Sequence, residues 1–187
     1  MEYRILGKSG LKISRLGFGG IPIQRIEAGD TKPLMHQLLE AGVNYIDTAR
    51  GYTVSESYLG EALEGIRQHF VLATKSMARD KAGMAKDIDI SLHNLKTDYI
   101  DLYQIHNPTP EDLEKVLAPG GALEALQEAK AAGKIGHIGT RCTPIPSLKK
   151  LWRWIGWRPS CSPITSWRPR ARISSPSVPK RTSALSA

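Results

Sequence analysis

Residues 42–52 read GVNYIDTARGY, and their centre predicts a short β-strand, residues 43–47, that ends on an acid. Apolar residues recur at helical spacing before this strand, over residues 34–41, and again after it, over residues 58–66. A helix, a strand and a second helix in succession are typical of parallel sheets, in which helical crossovers join the strands.

The same alternation continues along the chain. Further strands are predicted over residues 16–20, 70–75, 100–106 and 134–139, with helical spacing over residues 84–95 and 123–129. Ahead of them, apolar alternation in residues 3–6 and 11–14 flanks a glycine-bounded turn and predicts a β-hairpin. The fold class is therefore α/β, with an N-terminal hairpin followed by five parallel strands.

Two architectures fit this alternation, an open doubly wound sheet and a (β/α) barrel. The run over residues 17–20 is rich in glycine, but it lacks the third glycine of the dinucleotide-binding fingerprint. In addition, more than ten residues separate it from the next helical pattern. The open sheet therefore lacks the motif that usually supports it.

The net charge of +8 is distributed unevenly. Residues 141–187 hold ten Lys and Arg and no acid, whereas residues 1–140 hold 16 basic and 18 acidic residues. The last 47 residues also contain all four Trp, both Cys and seven of the twelve Pro. We therefore expect a boundary near Thr140, with a folded unit over 1–140 and a basic, unstructured tail over 141–187.

The composition disfavours several classes of protein. The two cysteines match no zinc or haem spacing and form no disulfide framework, so we expect no metal site and a reducing cytoplasm. The N-terminus lacks the apolar run of a signal peptide, and no apolar run approaches the roughly 20 residues that span a bilayer. We therefore expect a cytoplasmic protein without a membrane segment.

Four polar residues lie at or just after the carboxyl ends of three successive predicted strands. Asp47, Lys75 and His106 end these strands, and Tyr52 follows Asp47 by five residues. In a (β/α) barrel, this rim is where active sites lie. Each residue alone also fits a structural role, as a turn cap, a loop aromatic or an exposed strand end, but their combination on one rim favours a catalytic site.

The four groups together suit the reduction of a carbonyl. A phenol, with a pKa of about 10, is a weak acid at neutral pH. A neighbouring ammonium lowers that pKa, a carboxylate holds the ammonium, and an imidazole N–H polarises the carbonyl. The reaction also needs a hydride, which no side chain supplies, so a nicotinamide cofactor is implied.

At these positions the sequence resembles the aldo-keto reductase family. Residues 42–52 are similar to its second-strand signature, and residues 7–20 to its hairpin and first strand. The helix and strands that follow are matched by LGEAL at 59–63, LATK at 72–75 and DYIDLYQIH at 98–106. The resemblance covers residues 1–140 and implies a TIM-type (β/α)8 barrel, of which this chain carries about five units.

The resemblance also implies an activity, the NADPH-linked reduction of a small aldehyde or ketone. Tyr52 is then the proton donor, Lys75 lowers the pKa of Tyr52, Asp47 pairs with Lys75, and His106 orients the carbonyl. The implied cofactor contacts in this part of the chain are Gly20, Ile21 and Asp47, whereas the family's main phosphate- and adenosine-binding segments have no counterpart.

Arg50 and the run over residues 75–80 resemble a bacterial branch of the family. Longer members of that branch add iron–sulfur ligands near the C-terminus. No such ligands occur in this sequence, so no metal is assigned.

The composition of residues 141–187 suggests translation out of frame. Tryptophan has a single codon, TGG. Read one base out of step, its first two bases end a codon for Leu, Met or Val, and its last base begins a codon for Asp, Glu, Ala, Gly or Val. Back-translation of residues 143–172 in that frame allows segments that resemble the family's continuation. A natural disordered tail is the alternative, and a stop codon in the other frame would favour it.

Three functions remain open: an active reductase, an inactive member of the family, and a nucleic-acid or membrane-surface binder acting through Arg and Trp of the tail. Nucleic acid and membrane are not expected as partners, because the tail's cations lie among seven prolines without helical periodicity. With five of eight strands, we expect open sheet edges, self-association, a water-exposed Tyr52 and negligible turnover.

Overall fold

The computed structural model describes residues 1–141 of the 187-residue chain. The predictions for the C-terminal tail, both its lack of structure and its reading frame, concern residues outside this described part. Of the predicted tail, residues 141–187, only Arg141 lies in the described part, where it is the last residue of a β-strand. The boundary near Thr140 stays a prediction.

Strands and helices alternate within the described residues. The strands are β1 (Tyr3–Ile5), β2 (Lys12–Ser14), β3 (Phe18–Gly19), β4 (Tyr45–Asp47), β5 (Val71–Ser76), β6 (Ile100–His106) and β7 (Ile135–Arg141). The α-helices are α1 (Ala28–Glu40), α2 (Ser55–Ala62), α3 (Lys81–Asn94), α4 (Pro110–Leu117) and α5 (Ala122–Ala131). Short 3-10 turns occupy Ile21–Arg25 and Arg67–His69. None of the helices in this part of the chain is long and apolar enough to cross a membrane.

The strands form the hairpin and the parallel sheet that the sequence predicts. β1 and β2 pair antiparallel. β3 to β7 pair in parallel and in chain order, so each strand lies beside the next one along the chain. Consecutive order means that every connection crosses over to the adjacent strand. The carboxyl ends of β3 to β7 therefore meet at one edge of the sheet.

The two faces of the sheet differ in what they contact, and β5 shows this residue by residue. Leu72 packs in the core with the helices, while Ala73 lies in a separate apolar cluster on the opposite, inner face. Because side chains alternate along a strand, Thr74 follows Leu72 toward the helices and Lys75 follows Ala73 to the inner face. A lysine in a strand that is buried along its length is therefore directed away from the main core.

The main core lies between the sheet and the helices. Its fully buried members come from both layers, among them Met35, Leu59, Leu72, Met84 and Leu126. Burying each such side chain contributes about 1.5–3 kcal/mol, so this layer carries most of the apolar stabilisation of the described residues.

The inner face is covered differently, and this decides between the two predicted architectures. Toward the amino ends of the strands, which we call its lower end, Tyr45 and Leu102 pack with Leu6 and Ile13 of the hairpin region. The helices contribute to the core on the other face. A doubly wound sheet carries helices on both faces, whereas a (β/α) barrel keeps them outside. The described residues therefore have the architecture of barrel units, with the hairpin against the lower end of the inner face.

Candidate active site

Asp47 and Lys75 form an ion pair at the carboxyl ends of β4 and β5. Lys75 Nζ donates hydrogen bonds of 2.8 Å to Asp47 Oδ2 and of 2.8 Å to the carbonyl oxygen of Thr48. Lys75 is only 1% exposed, whereas the Asp47 side chain is 29% exposed. A buried ammonium requires a compensating charge and acceptors for its protons. The structure thus pairs the two residues as the resemblance implies.

Gln104 completes the support of Asp47, and the sequence analysis missed it. Its Nε2 donates to Asp47 Oδ1 at 3.1 Å, so each oxygen of the carboxylate has its own donor. Gln104 precedes His106 by two residues on β6, which puts both side chains on the inner face. That spacing was the one sequence feature that could have identified it.

Tyr52 lies in the loop between β4 and α2, with its ring beside Lys75. Lys75 Nζ is 5.0 Å from the centroid of the Tyr52 ring. Backbone hydrogen bonds hold the loop on both sides of this residue, from the Tyr52 N–H to the Ala49 carbonyl (3.0 Å) and from the Ser55 N–H to the Tyr52 carbonyl (2.7 Å). Tyr52 as a whole is half-buried, and the expectation of a water-exposed phenol stays a prediction.

His106 ends β6, and its ring also lies beside Tyr52. The two rings meet edge to face, with centroids 6.1 Å apart and planes at 87°. Arg79 Nη2 donates to the His106 carbonyl at 2.8 Å, and Asp112 holds Arg79 through a 3.0 Å contact to Arg79 Nε. The end of β6 is thereby fixed by Arg79, from the loop before α3, and by Asp112 of α4.

The electrostatic surroundings favour a neutral His106 imidazole. Burial lowers the pKa of His106, the Lys75 cation lowers it further, and the Asp47 carboxylate opposes this in part. Nδ1 of His106 is buried and has no hydrogen-bond partner among residues 1–141. A neutral imidazole carries one N–H and one acceptor nitrogen, so it can donate to a carbonyl oxygen beside Tyr52.

Gly20 and Ile21 follow β3 at the same rim, next to Asp47. The Gly20 N–H donates to the Asp47 carbonyl at 2.9 Å, and Ser55 Oγ donates to the Gly20 carbonyl at 2.9 Å. A Cβ atom at Gly20 would lie 2.6 Å from Ser55 Oγ and 2.9 Å from Thr48 Oγ1. The glycine therefore allows this loop to pack against Thr48 and Ser55, while Ile21 projects from the rim with 49% exposure.

The donor groups at this rim indicate what kind of molecule the site fits. Within residues 1–141, no three His, Cys, Asp or Glu side chains are grouped so as to hold a metal ion. The groups that converge there are a carboxylate, an ammonium, a phenol and an imidazole. This donor set fits the reacting end of a nicotinamide cofactor with a carbonyl compound, since it can give a proton and two hydrogen bonds to one oxygen.

Curated proteins that are named as dehydrogenases and reductases match most of this chain. The chain is 32% identical to L-galactose dehydrogenase of Arabidopsis thaliana over 161 residues, which are 78% of this chain and 50% of that protein. It is 33% identical to 6-dehydroglucose reductase of Novosphingobium aromaticivorans over 188 residues, which are 87% of this chain and 60% of that protein. The chain thus spans about half the length of the curated relatives that it matches.

Solved structures give the same result for the fold. An aldo-keto reductase from Bacillus halodurans in its holo form superposes with a TM-score of 0.72 at 34% identity, covering 83% of this chain and 54% of that one. An aldo/keto reductase from Brucella melitensis superposes with a TM-score of 0.67 at 28% identity, covering 84% and 60% of the respective chains. The α/β fold of the described residues therefore matches the TIM-barrel structures of these enzymes.

A family model settles the assignment. The model of the Aldo/keto reductase family matches residues 15–166. This range includes the rim residues and also extends beyond the boundary expected near Thr140. By its sequence and its strand order, the chain belongs to the aldo/keto reductase family of oxidoreductases.

Proposed function

We propose that the protein reduces a small aldehyde or ketone with NADPH, and that Tyr52 donates the proton. The observation that carries this proposal is the convergence of Tyr52, the Asp47–Lys75 pair and His106 at one rim. The expectation of negligible turnover was drawn from the number of strands. The proposal departs from it because the described residues hold all four groups together, with Lys75 buried and Tyr52 half-buried.

The proposed reaction places a carbonyl oxygen between Tyr52 and His106. When bound, NADPH would supply the hydride to the carbonyl carbon. The His106 N–H donates a hydrogen bond to the carbonyl oxygen and polarises it. The Tyr52 hydroxyl gives its proton to the same oxygen as negative charge develops there, which completes the alcohol.

Lys75 and Asp47 act on this proton transfer through charge. As the proton leaves Tyr52, negative charge forms on the phenol, and the Lys75 ammonium beside the ring stabilises it. Asp47 compensates the charge of Lys75 and keeps its Nζ in place, with Gln104 holding the second carboxylate oxygen. Gly20, Ile21 and Asp47 are the residues of the described part that we propose to contact the cofactor at its reacting end.

The names of relatives guide the choice of substrates. Two are named for sugars or sugar derivatives, L-galactose and 6-dehydroglucose, and a methylglyoxal reductase of Yersinia pestis is 30% identical over 148 residues. All three names point to small, polar carbonyl compounds or their alcohols. We therefore propose a substrate of this class, and the cytoplasm, with its NADPH, as the compartment.

The test is an assay of the purified 187-residue chain. NADPH oxidation is followed by its near-ultraviolet absorbance with methylglyoxal, a small aliphatic aldehyde and a sugar aldehyde, and the alcohol product is quantified. We expect substrate-dependent oxidation with one alcohol formed per NADPH consumed. A folded chain that binds NADPH but forms no alcohol with any of them would favour the inactive alternative.

A further inference from the structure

The mechanism leaves unused a carboxylate that is buried behind the rim. Glu56, near the start of α2, is only 1% exposed. Its Oε1 accepts hydrogen bonds from Thr74 Oγ1 of β5 (2.7 Å) and from Ser91 Oγ of α3 (2.8 Å). An acid with this degree of burial is costly unless it is paired and fully hydrogen-bonded. Its position between a strand and two helices therefore requires a compensating cation.

Arg50 is that cation, and it belongs to the Tyr52 loop. Arg50 Nη1 donates to Glu56 Oε2 at 2.7 Å, and the Arg50 side chain is 23% exposed. A second acid, Asp87 of α3, lies 3.8 Å from Arg50 Nε and also accepts from Ser76 Oγ. Arg50 precedes Tyr52 by two residues. These contacts therefore connect the Tyr52 loop, between β4 and α2, to α2, α3 and β5.

The backbone of Arg50 adds a direct connection to Lys75. The Arg50 N–H donates to the Lys75 carbonyl at 3.0 Å, so the loop is bonded to the strand residue whose ammonium lies beside Tyr52. Further along the loop, Thr53 has a positive φ of 39°, which is unfavourable for a β-branched residue. A loop with such a residue keeps its shape only where neighbouring contacts hold it.

We infer that Arg50 and Glu56 are positioning residues, whose buried ion pair sets the distance and orientation of the Tyr52 phenol relative to Lys75. This inference rests on the proposed function, because it assigns the pair a purpose in proton transfer. Neither residue touches the reacting atoms. They act by holding a loop whose misplacement by about 1 Å would reduce turnover on the order of 100-fold.

The chain offers a matched control at the opposite end of the sheet. Arg67 Nη2 contacts Asp101 Oδ2 at 2.7 Å, with side-chain exposures of 21% and 16%. The pair therefore has the same contact distance as the Arg50–Glu56 pair and a comparably buried arginine. Asp101 is near the start of β6, far along the strand from the His106 rim. Loss of either pair should lower stability, but only loss of the Arg50–Glu56 pair should affect Tyr52.

The first measurement is spectroscopic and independent of activity. The full chain is prepared with tyrosine labelled with carbon-13 at Cζ, and the Tyr52 resonance is assigned by its absence in Tyr52→Phe. We expect this resonance to shift in Arg50→Met, to return toward its original position in Arg50→Lys, and to stay in place in Arg67→Met. If Arg50→Met does not fold, Glu56→Gln replaces it, with the same expected shift.

The second measurement separates positioning from general stability. For variants that circular dichroism shows to be folded, we expect Arg50→Met to lower kcat roughly 10- to 100-fold with little change in KM, and Arg67→Met to leave both unchanged. A fixed Tyr52 resonance in Arg50→Met and Glu56→Gln, or equal shifts in Arg67→Met, would overturn the inference. If the wild-type chain has no turnover, the proposed function fails, while the resonance still decides the role of the pair.

Discussion

Lys75 and Asp47 carry opposite charges at the same rim but differ in their access to water. Lys75 is 1% exposed and Asp47 is 29% exposed, so only the carboxylate can be partly hydrated if its partner is lost. The cost of leaving one partner unpaired depends on how completely it is buried. The two residues should therefore differ in their effect on stability, although they form one contact.

The first prediction follows from this asymmetry. Asp47→Asn leaves a fully buried ammonium without its counter-charge and should lower the free energy of unfolding by about 3 kcal/mol. Lys75→Met removes the buried charge and leaves Asp47 with water and Gln104, so it should cost less than about 1 kcal/mol. Urea unfolding of both variants measures the difference. Equal losses, or a larger loss in Lys75→Met, would contradict this explanation.

The second prediction concerns pH. Burial is the main cause that lowers the pKa of His106 and of His137 in the folded state. Below about pH 6.5 the unfolded chain then binds more protons than the folded chain. The contribution of these histidines to the free energy of unfolding should therefore be complete above that pH and fall as the solution is acidified. His106→Gln should make this fall less steep, while His36→Gln, on the exposed side of α1, serves as the control.

Urea unfolding at about pH 7.5 and about pH 5.5 provides the comparison. The loss of stability on acidification should be smaller in His106→Gln than in the wild-type chain and in His36→Gln. A loss that is equal in all three proteins would show that His106 does not contribute.

Whether a site residue could be predicted from the sequence depended on its position along a strand. Asp47, Lys75 and His106 could be predicted because each ends a strand with a clear apolar pattern, and parallel strands bring such ends together. Gln104 had one such signal, its spacing of two residues from His106 on the same strand. Glu56 had none, because its role comes from contacts such as that with Thr74, 18 positions away. No local pattern identifies such partners.

At the scale of elements, close helix contact depends on one glycine. Gly60 of α2 packs so tightly against the end of α3 that a Cβ atom there would lie 2.1 Å from the Asn94 carbonyl oxygen and 2.8 Å from the Leu95 carbonyl carbon. Both atoms belong to the backbone, so a larger side chain must push the helices apart. The same two helices enclose Glu56 with β5.

The third prediction compares two glycine-to-alanine changes in helices. Gly60→Ala should lower the free energy of unfolding by roughly 1–3 kcal/mol through overpacking. Gly29→Ala in α1, where a Cβ atom would meet nothing within 4 Å, should be neutral or stabilising by up to about 1 kcal/mol. Thermal unfolding of both variants gives the comparison, and a Gly60→Ala protein as stable as Gly29→Ala would contradict the observed contact.

Most elements could be predicted from apolar spacing, but α4 could not. Its eight residues bury only Leu113 and Val116, which is too few for a periodic pattern. The clue lay instead at its start, where Thr109 and Asp112 form a capping box and Pro110 occupies the first turn. The start of a short helix can thus be more informative than its apolar face.

At the scale of the whole molecule, the edge of the sheet leads to a fourth prediction. Within residues 1–141, β7 is hydrogen-bonded to β6 along one side and has no strand on the other. Unpaired backbone groups along a seven-residue strand favour pairing with another chain. We therefore expect the purified chain to self-associate, with a mass by light scattering that rises with concentration. A monomer at all concentrations would contradict this.

The comparison that tests the proposed site most directly is the turnover of Tyr52→Phe against the wild-type chain. The change removes one hydroxyl and keeps the ring beside Lys75 and His106, so NADPH affinity, measured by its fluorescence, should stay unchanged. Tyr58→Phe in α2, a half-buried tyrosine that packs against the core, is the matched control and should keep full activity. We expect kcat for aldehyde reduction to fall at least about 100-fold in Tyr52→Phe, the range for loss of a general acid. Turnover in Tyr52→Phe equal to that of the wild-type chain would show that the proton comes from another group.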